Sequence, residues 1–509
     1  MGTVRLGPIV TVIGMMLLGL VFVVTILTGP GNVLGATYRF LWIPALLMGC
    51  MTPRLAMYVL VVMAIYLDVP KKFLVVGDVM DFRDVYFILA LPPVMLAGIV
   101  LQYVASFSLR IRVFSRRAAV LLSTAVALVA ATALFSIMKY GANPVVLKAL
   151  ANTSAYYGMI FVVPLVLPRL VDIQKYQRFI VVMMVPAAVH AILHFFYGLA
   201  DFETDYMRSG FSQNYSYVLW GEGIFGPFSA QGPLSASMAM CAALCLTPFL
   251  FRSRMSKGLR LMHPAVSIVL FVLFATTAVL SLKRGPLLLI PGAFVGFFIL
   301  RSRILTLGAY GGAGALVFIL IFLGEELAGK LEAWQTAIYE LFGAGGTKFH
   351  VFQIRTFYSR LNDFSLLADL SNWAPFGAEI AQGDGGYRAH SYVSRFVLEY
   401  GYVPVLIGFL IFVPVIFYLH RHLIRMSKGQ SFEVFQLRIA AALSFSYLGA
   451  AMMGVLSMDA YPNPFFFAFF LGVLASGLTR SLQSDYELPA GEEAEEALVP
   501  EQDGYRVLS

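Results

Sequence analysis

Three basic residues stand outside the long apolar runs of this sequence, and their chemistry suits an anionic substrate. Arg208 lies between two such runs, Arg284 at the junction of two others, and His390 near the end of the longest polar stretch. A guanidinium is planar, always charged, and binds phosphate oxygens in pairs. An imidazole, with a pKa of about 6.5, exchanges protons near neutral pH. Two arginines at one rim of a bundle are what a lipid-diphosphate site needs, and a neighbouring histidine would serve as a general base.

Each of these residues also has a structural interpretation. A basic side chain at the end of a membrane span is commonly an anchor that reaches the lipid headgroups, and this is the alternative for Arg208. His390 considered alone is also compatible with a structural histidine. Arg284 is harder to explain in this way, because Lys283 and Arg284 fall on the predicted external side, where basic residues are rarer. The following Gly285-Pro286 predicts a helix start, which favours anions.

Other ligand-bearing residues form no metal motif in the sequence. His190 and His194 lie four positions apart in an apolar run, but no third ligand or adjacent glutamate supports a site, and we interpret both as structural. Cys241 and Cys245 have the same spacing in another apolar run and are interpreted as helix-packing residues. We therefore predict no metal and no cofactor.

The elements that must position these residues are predicted to be membrane helices. The 509 residues are 59% hydrophobic and 13% charged, with a mean hydropathy of +0.80, whereas soluble domains are about 25% charged. Apolar runs long enough to span a bilayer number about fourteen. They lie near 7–28, 34–50, 54–68, 85–105, 118–138, 153–171, 177–199, 229–251, 264–282, 285–301, 303–323, 402–419, 438–456 and 463–479. The predicted fold is therefore an all-α polytopic bundle of 12–14 spans.

Lysines and arginines predict the orientation of this bundle. They concentrate in alternate connections, which places both chain ends inside and the connections 69–84, 139–152, 200–228 and 324–400 outside. Four parts follow from this pattern. They are the first part of the bundle (1–323), a large external loop that carries His390 (324–401), the final spans (402–480) and an acidic, disordered tail (481–509).

Four short motifs together resemble the O-antigen ligase and O-antigen polymerase superfamily. His390 is followed by ten residues and then Gly401, which is similar to the histidine–glycine signature at the end of that family's periplasmic loop. The turn Trp373-Ala374-Pro375-Phe376-Gly377 resembles the proline–glycine turn that precedes this histidine. Ser281-Leu282-Lys283-Arg284-Gly285 and Arg208-Ser209-Gly210-Phe211 resemble its two arginine motifs. The chain departs from the pattern at Ser391, where the family often has asparagine, and in an insertion after Arg208.

The resemblance implies a GT-C-like membrane enzyme that transfers a glycan from an undecaprenyl-diphosphate carrier to a sugar hydroxyl, without metal or nucleotide. His390 would accept the hydroxyl proton. Arg284 and Arg208 would bind the diphosphate, assisted by Arg360 or Arg388. The aromatic residues that would contact sugars are Trp373, Tyr387 and Tyr358. The partners implied are the lipid-linked oligosaccharide, an acceptor glycan or glycolipid, membrane lipids and other polysaccharide-assembly proteins, with no nucleic acid.

The implied location is the bacterial inner membrane, with a periplasmic active site and cytoplasmic termini. A polymerase and a ligase to lipid A–core share this chemistry, and the long external loop favours the polymerase. The rival class is a transporter or lipid flippase without covalent chemistry. The candidate residues lie on one predicted face of the membrane, which favours an enzyme acting at that face over a transporter that moves its substrate across the membrane. We expect Arg208, Arg284 and His390 to line one pocket, with the large loop as a partial lid.

Overall fold

The computed structural model describes most of the predicted bundle. It covers residues 41–77, 85–108, 116–140, 154–209, 224–250, 261–281, 283–342, 364, 366–369, 374–375, 394, 397–398, 401–425, 432–453 and 461–480. Every regular element within these ranges is helical. The first predicted span, most of the large loop and the acidic tail lie outside them.

The elements of the described part of the chain are helices. In chain order they are α1 (Trp42–Met51), α2 (Pro53–Tyr66), α3 (Asp68–Val76), α4 (Val85–Leu89), α5 (Leu91–Ser108), α6 (Arg116–Tyr140), a 3-10 turn (Ser154–Gly158), α7 (Met159–Val166), α8 (Leu170–Tyr197), α9 (Asp201–Arg208), α10 (Gln231–Leu250), α11 (Pro264–Leu280), α12 (Arg284–Leu287), α13 (Leu289–Ile299), α14 (Arg303–Phe342), α15 (Tyr402–Arg425), α16 (Phe432–Met453) and α17 (Asn463–Arg480).

Five helices in the described part of the chain are long and apolar enough to cross a membrane. They are Phe87–Ala105, Leu170–Tyr197, Arg303–Leu323, Tyr402–Arg421 and Glu433–Ala451. Several shorter apolar helices of 10–17 residues accompany them, such as α1 and α2. The described helices therefore suit a polytopic helical bundle, in which some predicted spans are shorter or divided. The predicted span 285–301, for example, divides at Leu288 into α12 and α13.

Helix α14 differs most from its predicted end. The sequence predicts that the large loop begins at Gly324, where charged residues reappear, but the helix continues to Phe342. Its 40 residues correspond to about 60 Å, twice the hydrocarbon thickness of a bilayer. Lys330 Nζ lies 2.6 Å from Glu326 Oε1, one turn away, and this pair supports the helix beyond its apolar part. Charged residues therefore mark the end of the apolar part and not the end of the helix.

Close helix packing depends on small residues. At the crossing of α1 and α5, a Cβ on Gly49 would lie 2.2 Å from the Met95 carbonyl oxygen. A Cβ on Gly98 would lie 2.3 Å from the Leu46 carbonyl oxygen. Only glycine lets the two backbones approach this closely, which is the usual way in which membrane helices associate.

Two short helices cover one end of this bundle. Helix α3 follows α2 directly, and α9 follows α8 after the turn at Gly198. The two pack against each other, with the rings of Phe73 and Phe202 stacked at 4.1 Å between centroids. The sequence analysis predicts that both regions belong to external connections. Their contact places the described helices of the connections 69–84 and 200–228 side by side.

Candidate functional site: a buried ionic cluster at one end of the bundle

The sequence-predicted site is described only in part. Arg208 is the last residue of α9, and its side chain is 65% exposed, with Nη1 4.0 Å from Asp205 Oδ1. Arg284 is the first residue of α12. The other predicted site residues, His390, Arg360, Arg388, Trp373, Tyr387 and Tyr358, lie outside the described residues. The predicted shared pocket therefore stays a prediction.

The main chain beside Arg284 lies close to the start of α10. The Ser235 hydroxyl, one turn into that helix, donates to the Lys283 carbonyl oxygen at 3.1 Å. The connection from α9 reaches α10 through residues 224–230, so the two arginine-bearing segments approach the start of the same helix.

The same end of the bundle contains charged residues that the sequence analysis missed. We call Asp68, Lys71, Lys72, His194 and Glu203 the buried ionic cluster; each is at most 7% exposed. They come from α3, the last turn of α8 and the first turn of α9. A charged side chain is almost never fully buried unless it is paired, and the members of this cluster are paired with one another.

Lys72 lies at the centre of the cluster. It is 0% exposed, and its Nζ lies 2.9 Å from Glu203 Oε1. The same ammonium donates to the Gly226 carbonyl oxygen at 2.9 Å and lies 4.5 Å from the centroid of the Phe225 ring. Lys72 therefore connects α3, α9 and the 224–230 segment at one point.

Asp68 and Lys71 form a second connection to the same segment. The Lys71 ammonium pairs with Asp68 and also donates to the Ser229 hydroxyl. The Ser229 backbone N–H donates to Asp68 Oδ2 at 2.9 Å. Gly226, between these two connections, has φ of +55°, and a Cβ there would lie 3.0 Å from the Ala191 Cβ on α8. The segment that leads into α10 is therefore held on several sides.

Glu203 also faces two histidines. His194 Nε2 lies 2.6 Å from Glu203 Oε2, although the two atoms lack hydrogen-bond geometry and neither has a hydrogen-bond partner among the described residues. The His190 and His194 rings are 4.3 Å apart between centroids. One ligand atom from each of His190, His194 and Glu203 lies within 4.8 Å of the other two. A third side chain with a possible ligand atom therefore lies beside the two histidines, which the sequence analysis did not foresee, because Glu203 comes from beyond the turn at Gly198.

The electrostatics of the cluster keep its carboxylates charged. Burial by itself would raise the pKa of Glu203, but His194 and Lys72 outweigh it and bring that pKa down to about 2. Burial also opposes ionisation of Asp68, and Lys71 together with Ser229 holds its pKa below the usual range. For Lys72, burial prevails over the attraction of Glu203 and lowers the pKa. The cluster is therefore an ion-pair network at neutral pH.

Comparison with models of known protein families, with curated proteins and with solved structures gives no match.

The opposite end of the bundle has a different character. A cavity of about 520 Å³ opens there between the start of α2 and the end of α7. Its lining residues are Thr52, Pro53, Arg54, Leu55, Tyr103, Leu165 and Pro168. Nearby, Arg178 Nε donates to the Leu261 carbonyl oxygen at 2.6 Å. These described residues belong to connections predicted to be internal, and they lie at the ends of α2 and α8 away from the buried ionic cluster.

A signal for the cluster was present in the sequence. Lys71 and Lys72 are adjacent basic residues in a connection predicted to be external, where such residues are rare. The argument that singles out Lys283 and Arg284 applies equally to Lys71 and Lys72. Glu203 carries no such local signal, because its partners lie on other helices.

Proposed function

We propose that this chain is a membrane glycosyltransferase of the O-antigen ligase and polymerase type. It transfers a glycan from an undecaprenyl-diphosphate carrier to an acceptor sugar hydroxyl at the periplasmic face of a bacterial inner membrane. In this proposal both termini are cytoplasmic, the bundle has 12–14 spans, and residues 324–401 form the periplasmic loop. The apolar helices and the four motifs support this proposal.

The observation that carries the proposal is the convergence of the two arginine-bearing segments. Lys72 holds Glu203 on α9, five residues before Arg208, and it also holds Gly226. Ser235 holds the carbonyl next to Arg284. Both segments are thus fixed around the start of α10. A site for a lipid diphosphate needs cations from more than one segment at one end of the bundle.

The backbone contacts at the end of the large loop support a contribution of His390 to the proposed site. The Tyr402 N–H donates to the Ala374 carbonyl oxygen at 3.1 Å, and the Val403 N–H donates to the Pro375 carbonyl oxygen at 3.2 Å. The predicted proline turn therefore lies against the start of α15, where Gly401 has φ of +91°. The stretch that includes His390 begins after Pro375 and ends at Gly401, and these hydrogen bonds hold its two ends together.

The proposed reaction is a single displacement at the anomeric carbon of the donor sugar. His390 accepts the proton of the acceptor hydroxyl as the hydroxyl oxygen bonds to that carbon. The bond to the phosphate oxygen breaks, and the undecaprenyl diphosphate leaves with the electron pair. Arg284 and Arg208, with Arg360 or Arg388, stabilise the charge that develops on the leaving group. Trp373, Tyr387 and Tyr358 contact the sugars.

The buried ionic cluster has a positioning role in this scheme. It is too buried to bind a large substrate, and its charges are already paired. Arg208 lies just over one helical turn from Glu203 and is 65% exposed, so α9 presents an exposed guanidinium while its other end is fixed. We assign substrate binding to Arg208 and the orientation of α9 to Lys72 and Glu203.

The test uses the purified chain in lipid nanodiscs with an undecaprenyl-diphosphate-linked oligosaccharide. Release of undecaprenyl diphosphate together with longer glycans supports polymerisation, which we favour. Release only in the presence of lipid A–core supports ligation. If the chain moves the lipid across liposome membranes with no release of the carrier, the transporter alternative replaces this proposal.

A further inference from the structure

We propose that His190, His194 and Glu203 form a binding site for Zn²⁺ that joins the last turn of α8 to α9. This site is separate from the proposed glycan transfer, and it does not depend on it. One ring nitrogen of each histidine and one carboxylate oxygen would bind the ion, and the fourth position would be taken by water or a small anion. Three protein ligands and one open position are a common zinc arrangement.

The geometry of the three side chains supports such a site. Their ligand atoms lie within 4.8 Å of one another. Zinc bonds to histidine nitrogen and to carboxylate oxygen are about 2.0–2.2 Å long, so ligand atoms around one ion stand about 3.3 Å apart. The 2.6 Å between His194 Nε2 and Glu203 Oε2 would therefore lengthen by several tenths of an ångström on binding. A side-chain rotation accounts for that change.

The hydrogen bonding points to a ligand as well. His194 is 7% exposed and Glu203 is 1% exposed. Nevertheless His194 Nδ1 has no hydrogen-bond partner among the described residues, and His194 Nε2 and Glu203 Oε2 face each other at 2.6 Å as an ion pair without hydrogen-bond geometry. Buried polar atoms without partners are uncommon and costly. A metal ion between the rings and the carboxylate would satisfy the facing atoms.

The contacts of Glu203 leave one of its two carboxylate oxygens, Oε2, directed toward the proposed ion. Lys72 holds Oε1 at 2.9 Å, which fixes the carboxylate and leaves Oε2 directed toward His194. Carboxylates that bind metals are commonly hydrogen-bonded through their other oxygen. The Lys72 ammonium also adds positive charge close to the site, so it favours an anionic fourth ligand over water.

The chemistry of the ligands selects the ion. Two imidazoles and one carboxylate suit Zn²⁺, whereas Ca²⁺ and Mg²⁺ prefer sets of oxygen ligands. The site is reachable, because His190 is only half-buried and the three residues after His194 are exposed aromatics: Phe195 at 54%, Phe196 at 71% and Tyr197 at 84%. Aromatic residues in this position are typical of the membrane–water interface, where an ion can enter from the aqueous side.

Metal binding to the full chain tests this proposal. The protein is purified through a tag free of histidine and cysteine, stripped with a chelator, and titrated with Zn²⁺ alone in detergent. We expect one Zn²⁺ per chain, and we expect Co²⁺ in the same site to show the visible absorption bands of a four-coordinate ion. His190→Ala is the main variant, since its half-buried ring can be removed with little effect on folding.

His190→Ala and Glu203→Gln should each weaken Zn²⁺ binding by more than the roughly 10–100-fold that loss of an outer-shell partner costs. His263→Ala is the matched control, because it removes a histidine at the start of α11, and it should bind Zn²⁺ as the wild type does. Equal binding by wild type and His190→Ala would mean an adventitious ion only and would overturn the proposal. So would the absence of Zn²⁺ binding in the wild type.

Discussion

Lys72 and Glu203 form a fully buried ion pair at 2.9 Å although 131 positions separate them in the sequence. Lys72 is in the short helix α3, and Glu203 is in the short helix α9. Each of these helices follows an apolar helix of the bundle. The pair therefore sets the relative positions of two short helices, one of which ends in Arg208.

Removal of one partner of this pair should destabilise the protein strongly. Lys72→Met leaves the Glu203 carboxylate buried without its ammonium, which costs about 3–5 kcal/mol. The double variant Lys72→Met/Glu203→Leu should recover most of the loss, because it leaves no uncompensated charge. Thermal unfolding in detergent measures both effects.

The control for this prediction is the exposed pair of Lys330 and Glu326, whose side chains are 72% and 62% exposed. Lys330→Ala should cost at most about 0.5 kcal/mol. If Lys72→Met costs no more than Lys330→Ala, the buried pair does not hold α3 and α9 together.

The cluster should make stability depend on acidic pH. The pKa of Glu203 is lowered from 4.5 to about 2, so its stabilising contribution is complete above pH 4.5 and is lost as the pH falls toward about 2. Asp68, whose pKa is also lowered, adds to the effect in the same direction. The unfolding temperature between pH 5 and pH 2 measures this loss. Glu203→Gln should flatten the profile, and an unchanged profile in that variant would contradict the assignment.

The close approach of α1 and α5 predicts a further stability effect. Gly98→Ala places a Cβ 2.3 Å from the Leu46 carbonyl oxygen, and the helices must move apart. We expect a loss of about 1–3 kcal/mol. Gly311→Ala, in α14, is the control because no atom lies within 4 Å of its added Cβ, and it should be neutral or stabilise by up to about 1 kcal/mol. Equal melting temperatures for the two variants would show that the crossing is looser than described.

The class of fold follows from the sequence, whereas the lengths of the helices do not. Composition and long apolar runs predict a helical membrane protein, because the bilayer requires apolar helices of about 20 residues. The same runs do not show where a helix breaks, as at Leu288 inside the predicted span 285–301, or continues, as α14 does past Gly324. Backbone geometry and local pairing determine both outcomes, and hydropathy reports neither.

The candidate site, like the fold, could be predicted only in part from the sequence. The motifs placed two arginines on one predicted side from local patterns. The buried ionic cluster could not be assembled in this way, since its members come from helices far apart in the sequence. Glu203 follows His194 only after the turn at Gly198, which has φ of +81°. A pattern of helical spacing ends at such a turn, so the sequence does not link Glu203 to the two histidines.

The proposed role of Arg284 predicts that lysine cannot replace arginine. A guanidinium binds two phosphate oxygens at once, whereas an ammonium is a point charge. Arg284→Lys should therefore resemble Arg284→Ala, both about 10²-fold or more below wild type in the release of undecaprenyl diphosphate. Arg303→Lys, an exposed arginine on the predicted internal side, should have no effect. Full activity of Arg284→Lys would favour an anchor at the membrane interface.

The most direct measurement for the proposed function is the rate of undecaprenyl-diphosphate release by His390→Ala in nanodiscs, beside wild type and His263→Ala. Loss of a general base costs about 10²–10⁴-fold in rate. We predict a loss of that size in His390→Ala, with unchanged membrane insertion and melting temperature, and wild-type activity in His263→Ala. Retention of more than about half of the wild-type rate by His390→Ala would contradict the role of His390 as general base.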